Sequence, residues 1–285
     1  MKLLRYGPKG AERPAVHLAA HEALDLSEHV KDLDPDFFAD DGPVKVRDLV
    51  EAGRLPRVDL RGQRLGAPVA RPSQVLCIGL NFADHAAESG LEAPAEPVVF
   101  NKAPNTLVGP YDDVLLPPGS RKGDWEVELA VVIGRRARYL ADEAEAASYV
   151  AGYAVSNDVS EREFQLERGG QWVKGKSCET FNPMGPWLVT PDEIDDVQDL
   201  RMRLDLNGRT VQNGTTATMI FGVAHIVWYL SQFMVLEPGD VINTGTPAGV
   251  GLGMQPPRFL QEGDVMELTI QGLGEQRQTV RRASL

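Results

Sequence analysis

The chain has 285 residues, of which 42% are hydrophobic and 25% charged, a composition typical of a globular protein rather than a disordered or fibrous one. Its 41 Asp and Glu residues outnumber its 29 Lys and Arg residues, giving a formal net charge of −12. This sign argues against nucleic acid and anionic membranes as partners. An anionic small substrate would be repelled too, unless local cations or a metal reverse the potential inside a pocket.

Residues 1–72 are predicted to form a small N-terminal subdomain of short strands and turns. One helix is predicted over residues 43–53, where apolar residues recur with a helical period. Proline and glycine are frequent in residues 65–73, so we place a domain boundary near residue 72. Residues 73–285 then form the larger, catalytic domain.

The larger domain is predicted to be rich in strands. The predicted strands cover residues 126–133, 151–156, 204–206, 240–244 and 265–270. The clearest helices are predicted over residues 141–147 and 221–233. Strands outnumber helices without regular βαβ alternation, which predicts a strand-dominated α+β fold.

No signal sequence or membrane-spanning segment is predicted, because the longest apolar stretches, residues 75–80 and 129–133, fall far short of the ~18 residues required. The two cysteines, Cys77 and Cys178, form neither a CxxC pair nor a disulfide framework. We therefore expect a cytoplasmic protein.

Residues 170–177 match the phosphate-binding pattern GxxxxGK[ST], yet their surroundings do not fit it. A charged helical stretch precedes them instead of a buried strand, and the proline-containing segment 178–186 cannot form the required helix. We therefore reject nucleotide binding. A nucleophilic Cys178 is also disfavoured, because no His–acid pair is adjacent to it in sequence.

Glu126 and Glu128 lie two residues apart on a predicted strand, so both carboxylates project from one face. Such a pair is usually solvated on an edge strand. The apolar run over 129–133 instead indicates a strand covered on both faces, where paired carboxylates need a cation. Asp158, at the end of another predicted strand, can add a third oxygen. Carboxylates without cysteine or clustered histidine favour Mg²⁺ or Mn²⁺ over Zn²⁺.

His85 and Glu88 are three residues apart on a predicted helical turn and can hydrogen-bond to each other. A carboxylate that accepts the Nδ1–H of an imidazole leaves Nε2 as a base toward water. The same spacing is also typical of a surface helical pair. Lys102, Arg162 and Lys176 are candidate cations for an anionic substrate, although each alone is also typical of a solvated charge.

In this order, the segments resemble the fumarylacetoacetate hydrolase family over residues 72–272. Residues 81–88 resemble the family's catalytic His–Glu segment, residues 97–102 its lysine segment, and residues 244–251 its TGTP turn. The resemblance implies three sets of site residues. The implied ligands of one Mg²⁺ or Mn²⁺ ion per chain are Glu126, Glu128 and Asp158. The implied catalytic residues are His85, Glu88 and Lys176. The implied substrate-binding residues are Lys102, Arg162, Gln165 and Thr246.

The resemblance also implies a mixed β-sandwich roll and a homodimer. Residues 169–186 look most like bacterial members that hydrolyse 2,4-diketo-3-deoxy sugar acids derived from L-rhamnonate or L-fuconate. The implied activity is hydrolysis of the C3–C4 bond of a 2,4-diketo acid, an acylpyruvate. The products are pyruvate and a second carboxylic acid such as lactate.

In the resulting hypothesis, a metal ion binds the keto-acid end of the substrate while His85, oriented by Glu88, removes a proton from the attacking water. Two alternatives remain open. The same platform could decarboxylate oxaloacetate or isomerise a diene acid without hydrolytic water. A non-catalytic protein that binds a cation or a sugar acid would have no need of the His–Glu pair.

Overall fold

The structure is a computed structural model that describes residues 1–88 and 92–284. Strands dominate these residues. In chain order the strands are β1 (Lys2–Tyr6), β2 (Arg13–Ala19), β3 (Glu22–Asp25), β4 (Arg57–Asp59), β5 (Leu65–Gly66), β6 (Val75–Gly79), β7 (Val98–Lys102), β8 (Leu107–Val108), β9 (Val114–Leu116), β10 (Gly123–Asp124), β11 (Val127–Ile133), β12 (Val150–Asn157), β13 (Ser160–Glu161), β14 (Asn182–Val189), β15 (Arg201–Leu206), β16 (Arg209–Thr215), β17 (Val241–Asn243), β18 (Val265–Ile270) and β19 (Gly274–Arg282). The strand-dominated α+β fold predicted from the sequence is confirmed.

The helices are short and few beside these strands. In chain order they are α1 (Pro35–Ala39), α2 (Gly42–Glu51), α3 (Ala83–Glu88), α4 (Glu143–Ala146), α5 (Val173–Lys176) and α6 (Val223–Ser231). The prediction over residues 141–147 was too long, because a tighter 3-10 turn takes over at Ala147–Tyr149. None of the helices within the described ranges has both the length and the apolar character needed to cross a bilayer.

A large mixed sheet places the termini of four neighbouring strands side by side. Its order is β4-β3-β2-β1-β14-β12-β11-β17-β6-β7, with β5 beside β1 and β8 beside β14. Strand β17 runs parallel to β6, whereas β11 is antiparallel to β17 and β12 is antiparallel to β11. The start of β11 and the segments that follow β6, β12 and β17 therefore lie at the same end of the strands.

Strand β11 is buried along its whole length because both of its faces are covered. Val127, Leu129 and Val131 pack into the core shared with the small sheet, whose order is β16-β15-β18-β19-β9. Ala130 and Val132 pack into a second core, which includes the N-terminal helices. Side chains of even number on β11 thus share the face on which Glu128 also lies.

The N-terminal strands extend the large sheet. Strand β1 pairs with β14, aligning Leu3 with Leu188, and β2 to β4 follow outward from β1. Leu3 also belongs to the core that contains Ala130 and Val132. The domain boundary near residue 72 stays a prediction.

Candidate active site

Three carboxylates meet where β11 begins and β12 ends. Glu126 immediately precedes β11, Glu128 is its second residue, and Asp158 follows β12, whose pairing aligns Val127 with Asn157. All three acidic side chains are buried, and an oxygen of each lies within 4.8 Å of an oxygen of the others. Strand pairing thus brings the three predicted metal ligands together, and we call them the carboxylate cluster.

Backbone groups fix the positions of these carboxylates. The Asp158 N–H donates to the Glu126 carbonyl oxygen at 2.9 Å, which ties the two strand ends together. The Gly245 N–H donates to Glu128 Oε2, also at 2.9 Å. Gly245 has a φ of +99°, and a Cβ there would lie 2.8 Å from the Cβ of Asn81. Glycine is therefore required where the chain passes Glu128.

Lys176 lies between two members of the cluster. Its ammonium donates to Glu126 Oε2 at 2.8 Å and to Asp158 Oδ2 at 2.7 Å. Burial would lower the pKa of Lys176, but the charges of Asp158 and Glu126 raise it above its usual value. The lysine therefore stays charged and bound to carboxylates, so its ammonium is engaged by acidic groups of this chain.

The carboxylates of the cluster respond differently to their surroundings. Burial raises the pKa of Glu126, but Lys176 and Arg162 together bring that pKa well below its usual range. Burial together with the charges of Asp158 and Glu126 holds the pKa of Glu128 well above its usual range. Within the described residues no salt bridge reaches Glu128, and the nearby Lys176, whose charge lowers the pKa of Glu128, is bound to the other two carboxylates.

Lys102 occupies a different position from the one predicted. Its side chain is fully buried, and its ammonium donates to Asp158 and to the carbonyl oxygens of Phe181, at 2.7 Å, and Val159, at 3.2 Å. With three acceptors engaged, Lys102 neutralises and orients Asp158 and has no free N–H to offer a substrate. Its predicted contact with substrate is therefore not supported.

Arg162 links the cluster to Asp124, an acidic residue that the sequence analysis missed. The guanidinium donates to Asp124 Oδ2 at 2.8 Å and to Gln165 Oε1 at 3.0 Å, and its Nη2 lies 2.7 Å from Glu126 Oε1. Asp124 also accepts hydrogen bonds from the backbone N–H groups after Val250 and is fully buried. The sequence does contain a pattern that indicates Asp124, because acidic residues alternate at positions 124, 126 and 128.

His85 and Glu88 form the predicted pair on α3. The imidazole Nδ1 lies 3.3 Å from Glu88 Oε2, and both oxygens of Glu88 lie 3.1 Å from the N–H of Gly249. Burial raises the pKa of Glu88, but the hydrogen bonds from His85 and Gly249 lower it below its usual value. Glu88 is therefore an ionised acceptor, attached to the glycine-rich segment after β17, that can orient His85.

The hydroxyl of Thr246 is also already engaged. It donates to the carbonyl oxygen of Val127 at 2.9 Å and accepts from Gln212 Nε2 at 2.8 Å. Thr246 lines the same cavity as His85, so its predicted place beside the substrate stays a prediction, although its hydroxyl proton is already donated to Val127.

One cavity, of about 370 Å³, brings most of the predicted site residues together. The predicted residues that line it are His85, Glu88, Glu126, Glu128, Arg162, Gln165, Lys176 and Thr246. Lys102 and Asp158 are fully buried behind the residues that line the cavity, and Asp158 contacts one of them, Lys176. Cys178 is not among the residues that line the cavity, and burial raises the pKa of its thiol to about 11, which argues against a nucleophilic role.

The carboxylate cluster fits a hard divalent cation. Oxygens that bind one Mg²⁺ ion at 2.0–2.1 Å lie at most about 4.2 Å apart, so the observed set needs only small side-chain shifts to reach ligand spacing. The position between Glu126 and Asp158 already accommodates the ammonium of Lys176. All three donors are carboxylates, the ligand type that Mg²⁺ and Mn²⁺ prefer.

Two solved structures are informative about this arrangement. The 2-hydroxyhepta-2,4-diene-1,7-dioate isomerase of Mycobacterium marinum is 34% identical, with a TM-score of 0.78 and coverage of 100% of both chains. The maleylpyruvate hydrolase of Sphingobium sp. SYK-6, solved with manganese(II) and pyruvate, is 26% identical, with a TM-score of 0.82 and coverage of 100% of both chains. Proteins with this fold thus include a hydrolase and an isomerase.

Sequence comparison gives the family directly. A protein of Burkholderia cenocepacia strain HI2424, named "putative hydrolase" with no substrate, is 54% identical over an alignment of 285 positions that covers 99% of this chain and 100% of that protein. Residues 74–281 match the family model described as the C-terminal part of fumarylacetoacetate (FAA) hydrolase. The chain therefore belongs to the fumarylacetoacetate hydrolase family of enzymes.

Proposed function

We propose that the protein is a divalent-metal-dependent hydrolase that cleaves the C3–C4 bond of a 2,4-diketo acid, releasing pyruvate and a second carboxylic acid. The observation that carries this proposal is that the His85–Glu88 pair and two carboxylates of the cluster line one cavity. Hydrolysis beside a keto acid needs a base for water and a positive site for developing negative charge. The likeness to a maleylpyruvate hydrolase adds support, because maleylpyruvate is itself an acylpyruvate.

The charge balance explains how an acidic protein could bind this anion. The carboxylate cluster is countered by Lys102, Arg162 and Lys176, each of which contacts at least one of its members. Arg162 is shared with Asp124, so these four carboxylates and three cations carry about one negative charge when all are ionised. A divalent ion held by the cluster would make the site positive and attract a keto-acid carboxylate.

Glu126, Glu128 and Asp158 would hold the ion. Bound there, a divalent ion would act as a Lewis acid toward the negative charge that develops on the 2-keto oxygen. Lys176 adds a fixed positive charge beside the same carboxylates and would stabilise that charge further.

His85 would act as the base. With its Nδ1–H donated to Glu88, its Nε2 accepts a proton from water, and the resulting hydroxide bonds to C4 of the substrate. The π pair of the C4 carbonyl moves onto its oxygen, and when that carbonyl re-forms the C3–C4 bond breaks and its electron pair passes to C3 to give the enolate of pyruvate. The proton that His85 Nε2 took from water passes to C3 and completes pyruvate, and the acid formed at C4 releases its own proton to solvent. C4 leaves as the carbon of a new carboxylate.

Hydrolysis in ¹⁸O-water tests this reaction. We expect the label in the carboxylate formed from C4 and none in the carboxylate of pyruvate, because water attacks C4. Mass spectrometry of both products gives the answer. Release of CO₂, or a product isomeric with the substrate, would contradict the hydrolase assignment and favour a decarboxylase or an isomerase.

An isomerase has its own supporting observation, the likeness to the Mycobacterium marinum isomerase at 34% identity. Hydrolysis is favoured over it because His85 is held by a carboxylate beside the cavity, as a water-activating base requires. A non-catalytic binding protein would bind the acid with no turnover in a panel of 2,4-diketo acids. The sequence also predicts that the substrate is a sugar acid whose second product is lactate. The side chains that line the cavity are relevant to this more specific prediction.

A further inference from the structure

Apolar side chains line the part of the cavity that lies outside the His85–Glu88 pair and the carboxylate cluster. This apolar wall consists of Phe100, Leu166, Trp172, Val250 and Leu252. The rings of Phe100 and Trp172 meet edge to face with centroids 5.2 Å apart. The ammonium of Lys176 lies 5.1 Å from the centroid of Phe100, so the apolar wall begins directly beside the charged residues.

The polar side chains near this wall are few. Within the described ranges, and apart from the pair, the cluster, the two cations and the engaged hydroxyl of Thr246, the side chains of the lining that carry a hydrogen-bonding group are the amides of Gln165 and Gln255 and the indole N–H of Trp172. Gln165 is held at the charged end by Arg162, and Gln255 is exposed. A tail carrying several hydroxyl groups would therefore place most of them against carbon atoms, where a hydroxyl without a partner is unfavourable.

Among the described residues that line the cavity, no Lys or Arg lies outside an ion pair. The two cations in that lining, Arg162 and Lys176, both contact Glu126. Residues 89–91, outside the described ranges, are Ser, Gly and Leu and carry no charge. A second carboxylate beside the apolar wall would lose its hydration without gaining an ion pair.

From this lining we infer that the protein takes 2-keto acids whose tail is uncharged and apolar, in preference to tails that carry a second carboxylate or several hydroxyl groups. The inference rests on the proposed function for the keto-acid head group, and it gives the tail that the acyl part of the substrate should have. It replaces the sugar-acid tail predicted from the sequence, because that tail needs hydroxyl partners that the apolar wall does not supply.

Binding of uncleavable analogues tests the inference. Three six-carbon acids share the 2-keto-acid head and lack a C4 ketone: 2-oxohexanoate, with an apolar tail; 2-oxoadipate, with a second carboxylate; and 2-keto-3-deoxygluconate, with hydroxyl groups. We expect titration calorimetry of the protein with Mn²⁺ to give a Kd for 2-oxohexanoate at least about tenfold below the other two. Equal or tighter binding of either polar acid would overturn the inference.

The same experiment separates this inference from the proposed function, because no bond is broken in it. The expected order of Kd values without turnover of any 2,4-diketo acid would remove the hydrolase and keep the tail preference. Turnover of such acids with the opposite order of Kd values would do the reverse.

A charge introduced into the wall gives a sharper version of the test. Leu166 is 46% exposed, so Leu166→Lys can be accommodated, and it places a cation beside the tail. We expect the ratio of affinities for 2-oxoadipate and 2-oxohexanoate to rise about fivefold. The matched control is Val44→Lys, on exposed α2 and outside the cavity, which should leave the ratio unchanged. A ratio that moves in neither variant, or equally in both, would contradict the placement of the tail on this wall.

Discussion

Lys102 and Asp158 form an ion pair with both side chains inaccessible to solvent. Asp158 uses its Oδ1 for Lys102 and its Oδ2 for Lys176, so each oxygen has its own cation. Breaking such a buried pair on one side leaves an uncompensated charge. This relationship separates the structural lysine of the site from the lysine that lines the cavity.

Lys102→Met should therefore destabilise the fold strongly. We expect the free energy of unfolding in urea to fall by about 3–5 kcal/mol, because Asp158 loses its buried partner. The double variant Lys102→Met, Asp158→Asn should recover much of that loss, since the stranded charge is gone. Equal stability of Lys102→Met and the wild type would show that the pair is not a structural one.

Loss of a carboxylate from the cluster should weaken metal binding strongly. Changes in residues that only support metal ligands typically cost 10–100-fold in affinity, so we expect Glu128→Gln and Asp158→Asn to lower Mn²⁺ affinity by more than about a hundredfold. Equilibrium dialysis with Mn²⁺ measures this directly. Glu267→Gln, an exposed glutamate on β18, is the matched control. Wild-type affinity in Glu128→Gln would place the metal elsewhere.

His85→Ala should lower kcat by ~10²–10⁴-fold and leave Mn²⁺ affinity unchanged, because a general base acts in the transition state without binding the metal. The measurement is steady-state hydrolysis of an acylpyruvate together with metal dialysis. His225→Ala provides the control, since His225 contacts Glu143 and is not among the residues that line the cavity. If His85→Ala kept near-normal kcat, water activation by this residue would be wrong.

Asp124 should act as a positioning residue through Arg162. Asp124→Asn replaces one carboxylate oxygen by an NH2 group, which cannot accept a hydrogen bond, so one of the donors now bound by Asp124 loses its acceptor. Arg162 then shifts relative to Glu126, and we expect kcat/KM to fall about 10–100-fold. Asp205→Asn removes the carboxylate of an exposed pair with Arg203 and should leave kcat/KM unchanged. A fall in thermal stability with unaltered kcat/KM and Mn²⁺ affinity would indicate a structural role alone.

The contribution of Glu88 to stability should depend on pH. Burial raises its pKa, but the hydrogen bonds from His85 and Gly249 bring it below the ordinary value of 4.5. A lowered pKa in the folded state stabilises the fold above that ordinary value and ceases to do so as the pH falls through the folded-state pKa. The difference in unfolding free energy between wild type and Glu88→Gln should thus be largest near neutral pH and shrink below pH 4.5. Urea unfolding measured at a series of pH values checks this, and a difference that stays constant with pH would contradict the prediction.

Local patterns in the sequence predict much of the carboxylate cluster. Glu126 and Glu128 follow the period of a strand, and the apolar run after them indicates burial, so their shared face needs no tertiary information. Asp158 follows from its place at the end of the next strand, because antiparallel neighbours bring such ends together. Asp124 continues the same alternation, but a break before β11 hides it from a strand-based interpretation.

The roles of single side chains depend on contacts that the sequence does not contain. Whether Lys102 faces a cavity or a buried carboxylate depends on how β7 meets Phe181, which is 79 residues away. The hydroxyl of Thr246 is engaged by Gln212 from the small sheet. Likewise, the pairing of β1 with β14 joins Leu3 to Leu188, a contact that no local period can indicate.

The two-sided burial of β11 means that this strand cannot change in length. Inserting or deleting one residue at its start would turn Glu126 and Glu128 toward the core of Leu129 and place apolar side chains at the cation site. The fold and the chemistry would then be lost together. Length can vary instead at turns such as Asn207–Gly208, where both residues are exposed and left-handed between β15 and β16. The number of residues in β11 therefore decides which side chains reach the candidate active site, whereas the length of such turns does not.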